Sequence, residues 1–385
     1  MPTQVINGMS ITPGSDSITT TDKITAGYFT GGDGTLASDA WTTASITDSV
    51  ETYYYGIAKD SPTGSVQFHV AYGNANGKGS NSDSDNIKSP TEAIYNQWTN
   101  ILLPEFEITG GFFISADKVQ TPSDSHLSSG TRDTDFYVLL GQRSLFKDRI
   151  NKKNWTIQLS GSSDIAGEAG LQVLSLTDDS QNIPPVYTPA GPRYNIVSGS
   201  SGTVVSASSK RNFGFFYPDQ GVWLFSGAEL SRSLPGTSGS KNTAVNFISK
   251  STGTAAIGSK DAFGFQEPTT ETSDLRQALR FVNCMKLSGS ATHTTQTMRS
   301  EEDQTSVSYF CRATSTKFNF SNNPTFVSGS DNEIRNKTLR GNPTVYITGV
   351  ELYNGGGDIV ATGKLSGPLK KNFSTEAVMK VKLTF

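Results

Sequence analysis

Apolar side chains recur at every second position over several stretches of this chain. Val66, Phe68, Val70 and Tyr72 alternate with Gln67, His69 and Ala71, the period of a half-buried β-strand. Trp155, Ile157 and Leu159 fall on one side of another, and residues 136–140 form a short apolar run suited to a strand covered on both faces. Residues 213–217 and 222–225 flank Pro218-Asp219-Gln220-Gly221, whose proline and glycine are placed to close a hairpin. Further strands are predicted at 307–312, 346–353 and 359–365, the last two joined by a turn at 355–358. At the end of the sequence Met379, Val381, Leu383 and Phe385 share a face opposite Lys380, Lys382 and Thr384. Chain ends normally fray, so a strand running to the last residue is expected to be tied into a sheet.

Helical spacing is clear twice. Ser89-Pro90-Thr91-Glu92 reads as a capping box with proline at the first helical position, followed by an apolar stripe of Ile94, Trp98, Ile101 and Leu102. Pro104 stops this helix. Leu275, Ala278, Leu279 and Val282 mark the second, with Thr272 or Ser273 as its cap. Polar stretches separate these elements. Residues 1–50 hold few apolar side chains (Ile18, Ile24, Tyr28, Phe29, Trp41) and are expected to form an N-terminal arm ordered by neighbours. Residues 74–89 read as a polar loop and 227–272 as a Ser/Gly-rich insertion. The expected organisation is an arm (1–50), a β-rich domain with one helix (51–226), the insertion, and a C-terminal β module with one helix (273–385). The fold class is mainly β with a few short helices (α+β), multidomain, in antiparallel, sandwich-like sheets with long polar loops.

Composition agrees with that class. Among 385 residues 10% are aromatic and only 17% charged, with abundant Gly, Ser, Thr and Asn, a mix that favours strands and turns. A net charge of -3 gives no electrostatic reason to expect nucleic acid or an acidic membrane surface as partner. No apolar run approaches the roughly 20 residues needed to span a bilayer. The start Met1-Pro2-Thr3-Gln4-Val5-Ile6 lacks the basic and apolar regions of a secretory signal, so synthesis in a cytoplasm is expected, with later exposure by lysis. Cys284 and Cys311 are too few for a disulfide framework and are read as two thiols, with a single bridge as the alternative.

Candidate chemistry is thin. His69 lies on the polar face of its strand, and His126 and His293 sit in Ser/Thr-rich loops without zinc-ligand spacing. Glu105 and Glu107 on an extended segment would stand about 7 Å apart, near the separation that glycosidases use. A solvated strand face is the plainer reading of that pair. Asp83, Asp85 and Asn86 offer oxygens for calcium but lack the glycine and terminal glutamate of the helix–loop–helix site. The basic run Arg143, Lys147, Arg149, Lys152 and Lys153 reads as a solvated face, or as half of a subunit contact with an acidic neighbour. No catalytic, cofactor-binding or metal-ligating residue is assigned, no cofactor is expected, and the chain is not read as an enzyme.

Several blocks resemble a virion structural protein of T4-like cyanophages and related marine myoviruses. They are residues 95–103, 144–149 through 155–161, 191–199, 213–221, 318–326, 345–354, 361–366 and 381–385. The likeness covers most of residues 51–385 and is most specific over the last 70 or so, while 1–50 and 227–272 match least. The pattern over 346–361 also looks like β-modules of other phage baseplate and fibre-attachment proteins. The resemblance implies a virion subunit of a contractile tail, in or on the baseplate, binding other tail subunits and copies of itself. No catalytic residue carries over. A receptor- or glycan-binding fibre module is the alternative, with Tyr53, Tyr54, Tyr55, Trp98 or Trp223 as candidate ring platforms, and a neck or capsid decoration protein is another.

Overall fold

A computed structural model describes residues 16–28, 41–43, 54–59, 66–77, 90–108, 110–114, 132–162, 171–205, 211–234, 277–286, 288–289, 292–293, 296–328, 331 and 333–385. It divides into two compact units, Ile24–Glu302 and Met1–Lys23 with Asp303–Phe385. In chain order the first strands are β1 (Ser17–Tyr28), β2 (Trp41–Thr43), β3 (Tyr54–Lys59), β4 (Val66–Asn74), β5 (Asp135–Gly141), β6 (Arg149–Ile150) and β7 (Thr156–Ser162). They continue with β8 (Leu171–Asp178), β9 (Val186–Thr188), β10 (Gly191–Ser200), β11 (Thr203–Val204), β12 (Asn212–Tyr217), β13 (Val222–Ser226), β14 (Ser288–Gly289) and β15 (Thr292–His293). The last are β16 (Gln296–Thr297), β17 (Arg299–Ala313), β18 (Val327–Ser328), β19 (Glu333–Ile334), β20 (Val345–Tyr353), β21 (Ile359–Lys371) and β22 (Ala377–Thr384). The α-helices are α1 (Thr91–Leu102), α2 (Glu105–Ile108), α3 (Gly227–Ser233) and α4 (Gln277–Lys286). The mainly β, antiparallel class is the one the alternation predicts.

The larger unit is built on one sheet ordered β16-β7-β8-β10-β12-β13-β5-β4-β3-β2, with β9 and β11 added to β10. Its centre is β12, β13 and β5, and every residue of β12 and β13 is buried. Cross-strand pairing sets two rows. Phe216, Trp223, Leu139, Val70 and Tyr55 line up on one face, and Phe215, Leu224, Val138, Ala71 and Tyr54 on the other. The first face shares a core with Trp155, Ile157 and Leu159 of β7 and its vicinity, far along the strand order. The Trp155 and Trp223 rings meet edge-on at 5.8 Å, so the sheet curls around its own apolar face. Leu230 and Leu234 near α3 and Ala278, Phe281, Val282 and Met285 of α4 seal that core. The second face is covered by Tyr95, Leu102 and Leu103 of the α1 region with Phe112 and Ile114, packed on Phe136, Phe215 and Leu224.

Several local expectations are revised. The α1 helix begins at Thr91 with Pro90 as its cap residue and no side-chain cap hydrogen bond there, while Ser89, the expected cap, lies outside the described residues. Its buried positions are Thr91, Tyr95, Thr99 and Leu102, while Ile101 is exposed and Trp98 half-buried. Tyr95 turns the helix: its ring stacks on Phe136 at 4.9 Å and its hydroxyl donates to the Asp133 carbonyl at 2.7 Å. The stretch beginning at 227 opens as helix α3 rather than loop, capped by Ser226, whose Oγ accepts from the Glu229 amide. Its anchors Leu230 and Leu234 stand among Ser and Gly, which hid the helix. Residues 235–276, including Leu275 and both expected caps of the second helix, lie outside the described residues. Residues 277–302, expected to open the C-terminal module, supply α4 and β16 to the larger unit.

The smaller unit holds a sheet ordered β1-β17-β22, the hairpin β20–β21 and the short ladder β18–β19. The last strand is tied in as expected: β22 pairs with β17 from Ala377 to Thr384, and the Phe385 and Thr305 backbones exchange two hydrogen bonds.

Candidate interaction surface

The residues with candidate chemistry are dispersed or already engaged. Glu105 and Glu107 sit on the short helix α2, not an extended segment, so two positions apart they point in different directions. Glu107 is buried and its Oε2 lies 3.3 Å from Nη1 of Arg193, whose guanidinium stacks 4.5 Å above the Phe215 ring. A carboxylate held this way fixes α2 to β10 and does not face a substrate. The pair is therefore no glycosidase dyad. His69 Nε2 lies 3.2 Å from Gln142 Oε1, and His293 pairs across a two-residue ladder with Ser288. His126, Asp83, Asp85 and Asn86 lie outside the described residues. Among the described residues no group of three His, Cys, Asp or Glu side chains is placed to hold a metal ion, and no helix is long and apolar enough to cross a membrane.

Two members of the basic run are paired with carboxylates of their own unit. Lys147 pairs with Glu302 at 3.5 Å, Arg149 with Glu301 at 3.3 Å, and Lys152 Nζ donates to the Tyr194 hydroxyl at 3.1 Å. Arg143 donates to the Phe146 carbonyl and stacks on that ring, while Lys153 is exposed. Neither cysteine is in a disulfide; Cys284 is buried and Cys311 half-buried, and burial pushes the Cys311 thiol up.

The candidate ring platforms do not gather either. Tyr55 and Trp223 are core residues, Trp98 is half-buried, Tyr54 is exposed, and Tyr53 lies outside the described residues.

One buried polar cluster carried no signal in the sequence. Asp133 accepts through Oδ1 from the Ser226 hydroxyl and through Oδ2 from the Ile114 amide at 2.7 Å. Burial pushes its carboxyl from 3.8 up to about 7, against the lowering effect of those two hydrogen bonds. Ser226 ends β13 and caps α3, so the cluster fastens the segment entering β5, the segment at 111–114 and the β13–α3 junction together.

Exposed apolar surface concentrates in the smaller unit. Its described buried apolar residues are Ala313, Val327, Val345 and Ala377, against some forty in the larger unit. Meanwhile Tyr346, Tyr353, Ile359, Val360 and Leu369 of the β20–β21 hairpin are exposed, Tyr346 at 61% and Val360 at 60%. Only the hairpin base is fixed: Val345 is buried, and Lys371 Nζ donates to Asn319 Oδ1 at 2.7 Å, Asn372 O at 3.0 Å and Ser315 O at 3.2 Å. Desolvation holds Lys371 below the usual lysine range. Beyond that base the ribbon has no covering layer among the described residues of the unit, although two strands alone are marginal in water. A half-open groove of about 340 Å³ lies at the base, lined by Phe318, Phe320, Phe373, Pro343, Asn319 and Asn322 among others. Phe318 is held at φ +58°, a conformation uncommon for a bulky side chain.

Comparison with protein-family models, curated proteins and solved structures finds no match to this chain.

Proposed function

We propose that the chain is a structural subunit of a contractile phage tail, seated in or on the baseplate and working by burying surface against other subunits. The carrying observation is the smaller unit, whose hairpin exposes tyrosines, isoleucine and valine with almost no apolar core beneath them. Surface of that kind marks an interaction site. The sequence likeness to virion proteins over residues 345–354 and 361–366 falls on the same hairpin. Made in a host cytoplasm and carried in the virion, such a subunit turns over no substrate. Quantitative mass spectrometry and imaging of intact particles test this: several copies per particle at the distal tail are expected. A chain missing from purified virions, or one located on the head or neck, would defeat the reading.

A carbohydrate-binding fibre module is the second reading, favoured by the groove in which Phe320 and Phe373 stand exposed beside Asn322. Glycan-array binding by the isolated protein, lost on Phe373→Ala, would support it over the first.

A further inference from the structure

The surface of the smaller unit is basic as well as apolar. The smaller unit, Met1–Lys23 with Asp303–Phe385, carries eleven lysines and arginines against eight carboxylates, which leaves 21 against 27 for Ile24–Glu302. Four of the carboxylates are already engaged. Glu376 pairs with Arg312 and Glu333 with Arg340, Glu351 accepts from the Tyr353 hydroxyl, and Asp358 accepts from Asn354. Lys364 and Lys370 on β21 and Lys380 and Lys382 on β22 are exposed, and none forms an ion pair among the described residues.

Position adds to charge. The nine residues of β20 span roughly 30 Å. A ribbon of that length offers on the order of 300 Å² per face, so two faces and the groove together approach the about 800 Å² per partner of a stable interface. Simple edge-to-edge pairing of β22 with another β22 would bring Lys380 and Lys382 against their own kind, a device that blocks such pairing. A complement for this surface has to be acidic overall, and the larger unit of the same chain is.

We propose that the β20–β21 hairpin and the lysine face of β22 dock onto the acidic Ile24–Glu302 unit of a second copy. This rests on reading the chain as an assembly subunit and names its first partner. The contact is heterologous, one surface meeting a different one, so each open complex still offers one free hairpin and one free acceptor, and repetition closes into a ring where the rotation permits.

Light scattering and sedimentation of the full chain test this at roughly 0.05 M and 0.5 M salt, which bracket the regime where exposed charges are screened beyond ~10 Å. Concentration-dependent association is expected at low salt, weakened at least about tenfold at high salt. The quadruple variant Lys364→Glu, Lys370→Glu, Lys380→Glu, Lys382→Glu should weaken association by at least about tenfold. Val360→Asp, which removes apolar contact and keeps the lysines, should also weaken it. Mixing decides the geometry: a tagged quadruple variant still owns the acceptor surface and should capture the unmodified chain. A monomer at every concentration, association indifferent to salt and charge reversal, or failure of the mixed complex each overturns the proposal. A chain that is monomeric yet present in virions in several copies would sink this contact and leave the tail-subunit reading standing.

Discussion

Asp133 couples the larger unit to pH. Its carboxyl is moved from 3.8 up to about 7 by burial, so between those values the folded chain holds a proton that the unfolded chain has released. Stability contributed by this group is therefore greatest at low pH and falls as pH rises toward 7, by on the order of 4 kcal/mol. Thermal unfolding is expected several degrees higher at pH 5 than at pH 8, and Asp133→Asn should flatten that slope (all other carboxylates being common to both chains). The Glu107–Arg193 pair bears on stability through its burial. Glu107→Ala leaves a buried guanidinium beside Phe215 and Tyr217 without this partner, and a loss of about 3 kcal/mol in urea denaturation is expected. Neither role was legible in the sequence. An aspartate earns a raised pKa from burial among residues brought from 114 and 226, and a glutamate finds an arginine 86 positions away only once β10 is in place. Sequence spacing saw Glu105 and Glu107 as a pair because it could not see that partner.

At the scale of elements, alternation read well where the sheet itself decides burial. Trp155, Ile157 and Leu159 are fully buried together, and the turn at 218–221 joins Tyr217 to Val222 as the proline and glycine require. Gly221 is needed there twice over: its φ is +66°, and a Cβ would lie 2.5 Å from the Phe146 ring. Gly221→Ala should cost roughly 1–3 kcal/mol, read from the denaturation midpoint, with an unchanged slope. Helix α1 was less legible because its buried face is chosen by Tyr95 and two threonines that reach Phe136 and Asp133, not by the most apolar stripe. The α3 helix escaped notice for a related reason, since seven residues anchored by two leucines leave too short a period to detect.

At the scale of the molecule, the two units differ in what holds them. In the larger one both faces of β5, β12 and β13 are covered, so opening those strands requires exposing the aromatic core. Among its described residues the smaller one ties its strands by backbone pairing with four small or medium apolar side chains buried, and its hairpin is fixed at the base. Local opening free energy follows buried contact, so amide hydrogen exchange should separate them. Amides in β12 and β13 are expected to exchange only through global unfolding, while those facing across β20–β21 beyond Gly349 exchange orders of magnitude faster in dilute chain. If that hairpin exists to be covered by protein, its amides alone should slow sharply once the chain assembles, with β12 and β13 unchanged. Equal, strong protection of both regions in dilute monomer would mean that the hairpin is stable uncovered, and its exposed tyrosines and valine would then no longer imply a partner.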